Sequence, residues 1–98
     1  MKFRVEFDPG AELDLLEASA WYDSQSEGLG AEFWRQVRIQ EARLSRAPEV
    51  HAVEYADIRR AFLGKFPYAL HFRLEEDDRV RVLACIHHRR DPRRWPGA

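Results

Sequence analysis

The sequence predicts an α+β fold with the element order β-α-α-β-β-β, two antiparallel helices packed on one face of a mainly antiparallel four-stranded sheet. Three observations carry that prediction. Strand signals at 2–7 and 58–87 flank a stretch of helical spacing, and a glycine pair at 28 and 30 divides that stretch in two. The third is the last hairpin. Laid antiparallel across Glu75-Glu76-Asp77-Asp78-Arg79, its strands pair Leu74 with Val80, Phe72 with Val82, Leu70 with Ala84 and Tyr68 with Ile86, all apolar and on one face. The same register sets Arg73 opposite Arg81 on the other face, a like-charge pairing that costs on the order of a few tenths of a kcal/mol. A face that keeps paired arginines is expected to meet something anionic.

Each element follows from its residues. Lys2 to Phe7 alternates, with Phe3, Val5 and Phe7 on one side and Lys2, Arg4 and Glu6 on the other, as a half-buried strand does. Asp8-Pro9 then fits an N-cap followed by proline in the first helical turn. Ala11, Leu15, Ala18 and Tyr22 recur at helical spacing, Leu16 and Ala20 broaden the stripe, and the helix extends to Gln25. Ser26-Glu27-Gly28-Leu29-Gly30 reverses the chain. The second helix carries Phe33, Val37 and Leu44 on one stripe, displays Arg35, Arg38, Arg43 and Arg46 elsewhere, and stops before Pro48. Residues 48–57 fit a loop, a short turn or the start of a strand. Ile58 to Leu63 reads as a strand closed by the turn Gly64-Lys65-Phe66-Pro67, which leaves either Arg59 or Arg60 on the face of Arg73.

Ninety-eight residues without repeat, linker or low-complexity segment make one domain, 1–98, ending in a basic tail at 88–98. The single cysteine, Cys85, excludes a disulfide framework and fits a reducing cytoplasm. No apolar run approaches the roughly 20 residues of a membrane span, and Met1-Lys2-Phe3-Arg4 leads into a strand rather than a signal-peptide core. A soluble cytoplasmic protein is expected. Net charge is −1, so the chain does not coat nucleic acid indiscriminately, but its charge is unevenly placed. From Val5 to Trp34 there are acids and no Lys or Arg; from Arg59 onward Arg59, Arg60, Lys65, Arg73, Arg79, Arg81, Arg89, Arg90, Arg93 and Arg94 dominate.

Candidate chemistry is sparse. His71 and His87 share a face in the expected register, and a histidine pair can do acid/base work on RNA, although surface histidines beside arginines are the commoner case. Adjacent His87 and His88 point to opposite sides of a strand, and no carboxylate or thiol cluster has ligand spacing, so no metal or cofactor is expected. Cys85 reads as a small packed residue, Asp14 and Glu17 as solvent-facing, and Trp21 and Trp34 as helix-packing. Trp95 is either a tail anchor folded back on the domain or an interface residue.

In their order and spacing, Ala11, Asp14-Leu15, Glu17-Ala18, Trp21-Tyr22, Gly28-Leu29-Gly30, Phe33, Pro48, Ile58-Arg59-Arg60, Lys65-Phe66-Pro67-Tyr68, His87-His88-Arg89-Arg90-Asp91-Pro92 and Trp95 resemble the RelE/ParE toxins. These are the toxin halves of bacterial type II toxin-antitoxin pairs, often labelled plasmid-stabilisation proteins. The resemblance implies the fold above and a cognate antitoxin whose extended or helical segment wraps the toxin, here on a basic, partly apolar face of Arg81, Leu83, Cys85 and His87. RelE-like members cut messenger RNA in the ribosome with basic groups and a late tyrosine; ParE-like members bind DNA gyrase. In the RelE pattern an arginine follows the tyrosine that opens the third strand, where this chain has Ala69 after Tyr68, and Trp95 falls where the late tyrosine would be. An indole does not exchange a proton near neutral pH.

The pattern therefore favours a ParE-like, non-enzymatic toxin that inhibits a macromolecular target, with Arg60, Arg73, Arg81, His87, Arg89, Arg90, Arg93, Arg94 and Trp95 as the target- or antitoxin-binding set. The alternative is a ribosome-dependent endoribonuclease in which Arg60, Lys65, Arg73, Arg81, His87 or Arg89 rebuild the site. A third reading is an inactive family member that only binds its partner.

Overall fold

The computed structural model describes residues 2–97; Met1 and Ala98, the ends of the expected domain, lie outside the described residues. The chain runs β1 (Arg4–Phe7), α1 (Pro9–Gln25), α2 (Leu29–Leu44), a 3-10 turn (Pro48–Val50), β2 (Val53–Tyr55), β3 (Ile58–Phe62), β4 (Tyr68–Glu75), β5 (Arg79–His87) and a second 3-10 turn (Pro92–Arg94). The sheet has five strands in the order β1-β5-β4-β3-β2, one more than the sequence predicted. The added strand, β2, comes from the stretch that sequence reading left open, and it pairs with β3 over a shifted, irregular register. All pairings are antiparallel except β1 with β5; the two helices carry the chain from β1 at one edge of the sheet to β2 at the other, and the strands then return to β5 beside β1.

Proline and the glycines set the helix boundaries as expected, with one change of role. Asp8 precedes α1 in extended conformation, but its side chain makes no cap hydrogen bond. Gly28 takes the left-handed conformation, φ 90°, between the helices. Gly30 belongs to α2 and marks a close helix approach, since a Cβ there would lie 2.7 Å from the Ser19 carbonyl oxygen. Asp23 of α1 fastens this corner, its Oδ1 accepting from the Gly28 and Gly30 amides.

Phe33, Val37 and Leu44 of α2, Ala11, Leu15 and Ala18 of α1, and Leu70, Phe72, Val80 and Val82 of the sheet form the buried layer between helices and sheet. Burying each large side chain contributes about 1.5–3 kcal/mol. The expected hairpin register holds through Leu74↔Val80, Arg73↔Arg81 and Phe72↔Val82, then shifts. Leu83 is a β-bulge, so Leu70 meets Cys85 rather than Ala84, and Tyr68 meets His87 rather than Ile86. From the bulge onward every side chain of β5 changes face relative to the uninterrupted alternation. Cys85 enters the helix-side core, 4% exposed, while Ala84 and Ile86 turn to the opposite face.

Candidate functional site

Arg73 and Arg81 do face each other on the sheet side away from the helices, but neither is free. Arg81 lies beside Glu6 in the β1–β5 register, and its guanidinium reaches Glu6 at 3.1 Å, Asp8 at 3.3 Å and Glu75 at 3.5 Å. Arg73 pairs with Glu75 at 3.1 Å. The hydrogen bond from Arg73 holds the Glu75 carboxyl below its ordinary range, with the Arg81 charge adding to it. Desolvation pulls the Arg81 guanidinium down, but the three carboxylates together outweigh it and leave it raised. The expectation of an unneutralised basic face is thus corrected: the chain's own acids answer these arginines.

The β3–β4 register chooses between the neighbouring arginines, placing Arg60 opposite His71 on the outer face. Its guanidinium contacts Glu54 at 2.6 Å and sits between the Phe62 and Trp95 rings, 5.0 and 4.8 Å from their centroids. Arg59 turns away and donates to the His51 carbonyl at 2.6 Å, tying down the 3-10 turn. His71 is 1% exposed, with its Nδ1 2.8 Å from the Tyr55 hydroxyl. Burial pushes the His71 imidazole down to about 4, with Arg60 acting in the same direction, and burial raises the Tyr55 phenol to about 12. Trp95 covers both rings, 4.9 Å from His71 and 5.2 Å from Tyr55, so the anchor reading of that residue is the one the structure adopts.

The remaining candidates scatter. The bulge carries His87 to the helix side, where it packs edge-on against Tyr68 at 5.1 Å, so it shares no face with His71. Cys85 likewise leaves the basic face, and burial lifts its thiol to about 12. Lys65 bonds Glu32 of α2 at 2.9 Å, and Arg93 folds back on Asp91 at 2.7 Å. The six residues considered for phosphodiester chemistry therefore converge nowhere: Arg60, Arg73 and Arg81 share the outer face, and Lys65, His87 and Arg89 lie elsewhere. Among the described residues, Arg89, Arg90 and Arg94 are exposed and hold no carboxylate at ion-pair distance.

Two features of α1 depart from expectation. Asp14 turns toward the sheet edge, where its Oδ2 accepts the Cys85 amide at 3.0 Å just beyond the point at which β1 ends. Burial raises the Asp14 carboxyl against the opposing pull of that hydrogen bond and of Arg90. Leu16 and Ala20 do not broaden the buried stripe. They form a second one with Leu13 on the exposed side, Leu13 at 55% and Leu16 at 59% exposure, and Trp21 at 57% stands at its margin rather than in the helix packing. Exposed Glu12, Glu17, Asp23 and Glu27 surround this stripe. Leu13 was the missed signal, because 13, 16 and 20 are spaced like a buried face.

The family profile described as the ParE toxin of the type II toxin-antitoxin system, parDE, matches residues 5–92. The chain belongs to the ParE toxin family. No curated protein sequence matches it. Among solved structures, a chain of the chromosomal ParDE toxin-antitoxin system from P. aeruginosa superposes with a TM-score of 0.76 at 16% identity, covering 88% of this chain and 96% of that one. At that identity the likeness establishes the shared fold. The ParE-family chain has no helix among its described residues long and apolar enough to cross a membrane, and no cluster of His, Cys, Asp or Glu able to hold a metal.

Proposed function

We propose that the chain is the toxin of a type II pair, silenced by an antitoxin segment that docks along α1, and that it inhibits DNA gyrase through its C-terminal tail. The observation that carries the docking surface is the second apolar stripe. A helix packed against one core needs one apolar face, and α1 presents Leu13, Leu16 and Ala20 on the side away from the core as well. Acids ring that stripe, and Val5 to Trp34 contains no Lys or Arg. The complementary occupant is an amphipathic segment with apolar anchors at helical spacing and Lys or Arg beside them. On the target side, the exposed guanidiniums of Arg89, Arg90 and Arg94 fit an acidic or phosphate-bearing surface.

Expression of the chain without antitoxin is expected to induce the SOS response and filamentation, and the purified chain to inhibit gyrase. Replacing Arg89, Arg90 and Arg94 together by alanine removes both effects. Leu13→Lys with Leu16→Lys keeps toxicity and abolishes neutralisation by the co-expressed antitoxin. Normal DNA topology with cuts in translated messages by primer extension would overturn the gyrase reading in favour of the endoribonuclease. Healthy growth at high expression would leave only partner binding.

A further inference from the structure

The tail is rooted by the His88 amide on the Pro67 carbonyl and the His88 ring on Phe62, then crosses from one face of the sheet to the other, and its segment 91–95 is fastened to the domain by very little. After His87 the chain turns, Asp91 caps the 3-10 turn through the Arg93 amide at 2.9 Å, and Trp95 comes down on the outer face. The hydrogen bonds of residues 91–95 are internal: Arg93 and Arg94 amides to Asp91, the Trp95 amide to the Pro92 carbonyl, and the Arg93 guanidinium to Asp91. Among the described residues none joins this segment to β2, β3, β4 or β5. What holds it is the indole against Tyr55, Arg60 and His71, with Gly97 over Ile58.

We infer that the slot beneath Trp95, walled by Tyr55, Arg60 and His71, is an exchangeable socket for an aromatic side chain of a partner protein, with the chain's own tail as its resident occupant. The walls are already satisfied without the indole, since Tyr55 bonds His71 and Arg60 bonds Glu54. The occupant is not satisfied, because the Trp95 Nε1 is buried and meets no acceptor among the described residues. A buried donor without a partner carries a penalty that a phenylalanine ring, or a tyrosine whose hydroxyl reaches water, does not incur. Arg60 also offers a cation over the face of whichever ring enters. A nucleobase fits the slot less well. Its phosphates would need open cations alongside, and the cations of this face, Arg60, Arg73 and Arg81, are taken by Glu54, Glu75, Glu6 and Asp8. A short turn delivering one ring onto the sheet is also the geometry a peptide would use, which the tail itself demonstrates. This inference holds whichever macromolecule the chain inhibits.

The test uses the full chain carrying Trp95→Ala, titrated with N-acetylphenylalaninamide and, separately, with adenosine monophosphate, while amide and ring resonances of Tyr55, Arg60 and His71 are followed by NMR. Saturable shifts confined to these residues are expected with the amide, and weaker or no binding with the nucleotide. In the unsubstituted chain labelled with 5-fluorotryptophan, the amide should move the Trp95 fluorine signal toward its solvent-exposed position and leave that of Trp34 in place. This second arm stands even if Trp95→Ala loses its fold. An unmoved Trp95 signal at saturating amide, or tighter binding of the nucleotide, overturns the inference.

Discussion

Asp14 offers the sharpest check on the geometry of the β5 edge. Its carboxylate accepts the Cys85 amide at 3.0 Å beyond the end of β1, whose pairing with β5 stops at Val82, in a residue only 4% exposed. Asp14→Ala orphans the donor and should cost about 1–3 kcal/mol. For a domain of this size about 2 kcal/mol corresponds to a fall in Tm of roughly 8–16 °C. Asp14→Asn keeps an acceptor oxygen and sheds a charge that burial disfavours, so it should match or exceed the parent. The sign follows from the raised carboxyl: its folded pKa lies above the ordinary value of 3.8, so stability is present below that value and is lost as pH rises through the folded pKa. Asn has no such loss, and the advantage of Asp14→Asn should vanish in acid and grow toward neutrality. Thermal melts of the three proteins across pH read this directly. Equal damage from Asn and Ala, or a gap that ignores pH, would refute the reasoning.

Other outcomes follow from single sites. Phe72→Ala opens a cavity at a fully buried position and should cost about 3–5 kcal/mol in denaturant unfolding, whereas a loss under about 1 kcal/mol would mean that the core collapses around it. His71 is held neutral, with its pKa lowered from 6.5 to about 4, so the unfolded chain binds the extra proton and stability should fall as pH drops from 6.5 toward 4. An imidazole NMR titration with an ordinary midpoint would contradict that burial. Cys85, its thiol pushed up to about 12, should resist thiol reagents in the native chain and react on denaturation.

The places where sequence reading succeeded and failed have physical reasons. The inner half of the hairpin was legible because alternation has period two and Phe72, Leu74, Val80 and Val82 obey it. The bulge was not, because Leu83, Ala84, Cys85 and Ile86 are all apolar and either phase of the alternation looks buried. That one extra residue sent His87 and Cys85 to the wrong face in the sequence-based expectation and so dissolved both the histidine pair and the apolar part of the basic face. Glu6 was correctly placed on the outward side of the first strand, yet its meeting with Arg81 needs the parallel β1–β5 pairing, which no local pattern encodes. β2 spans only Val53–Tyr55 and is too short for periodicity to register. Leu13 and Leu16 escaped for the opposite reason: helical spacing reveals an apolar face without saying what covers it.

The charge of the sheet therefore belongs to folding more than to binding, and salt can separate the two. Arg81 sits among Glu6, Asp8 and Glu75 and ties all three together, while Arg4 and Arg79 also reach Glu6, and Arg73 and Arg79 also reach Glu75. In the parent chain added salt weakens attraction within the cluster and should lower stability slightly. In Arg81→Ala, Glu6 and Glu75 keep Arg4, Arg73 and Arg79 while Asp8 loses its ion-pair partner, so less attraction remains for salt to screen and the loss of stability with salt should be smaller. The slope of Tm against ionic strength should be shallower in Arg81→Ala than in the parent. Arg73→Ala removes a half-exposed partner of Glu75 alone and should keep the slope of the parent. Parallel slopes for Arg81→Ala and the parent would mean that Arg81 contributes nothing to holding the acids together, and the outer face would again be open to an anionic ligand. A shallower slope leaves Arg89, Arg90 and Arg94, exposed at the tail and without an ion pair among the described residues, with charge left for a target.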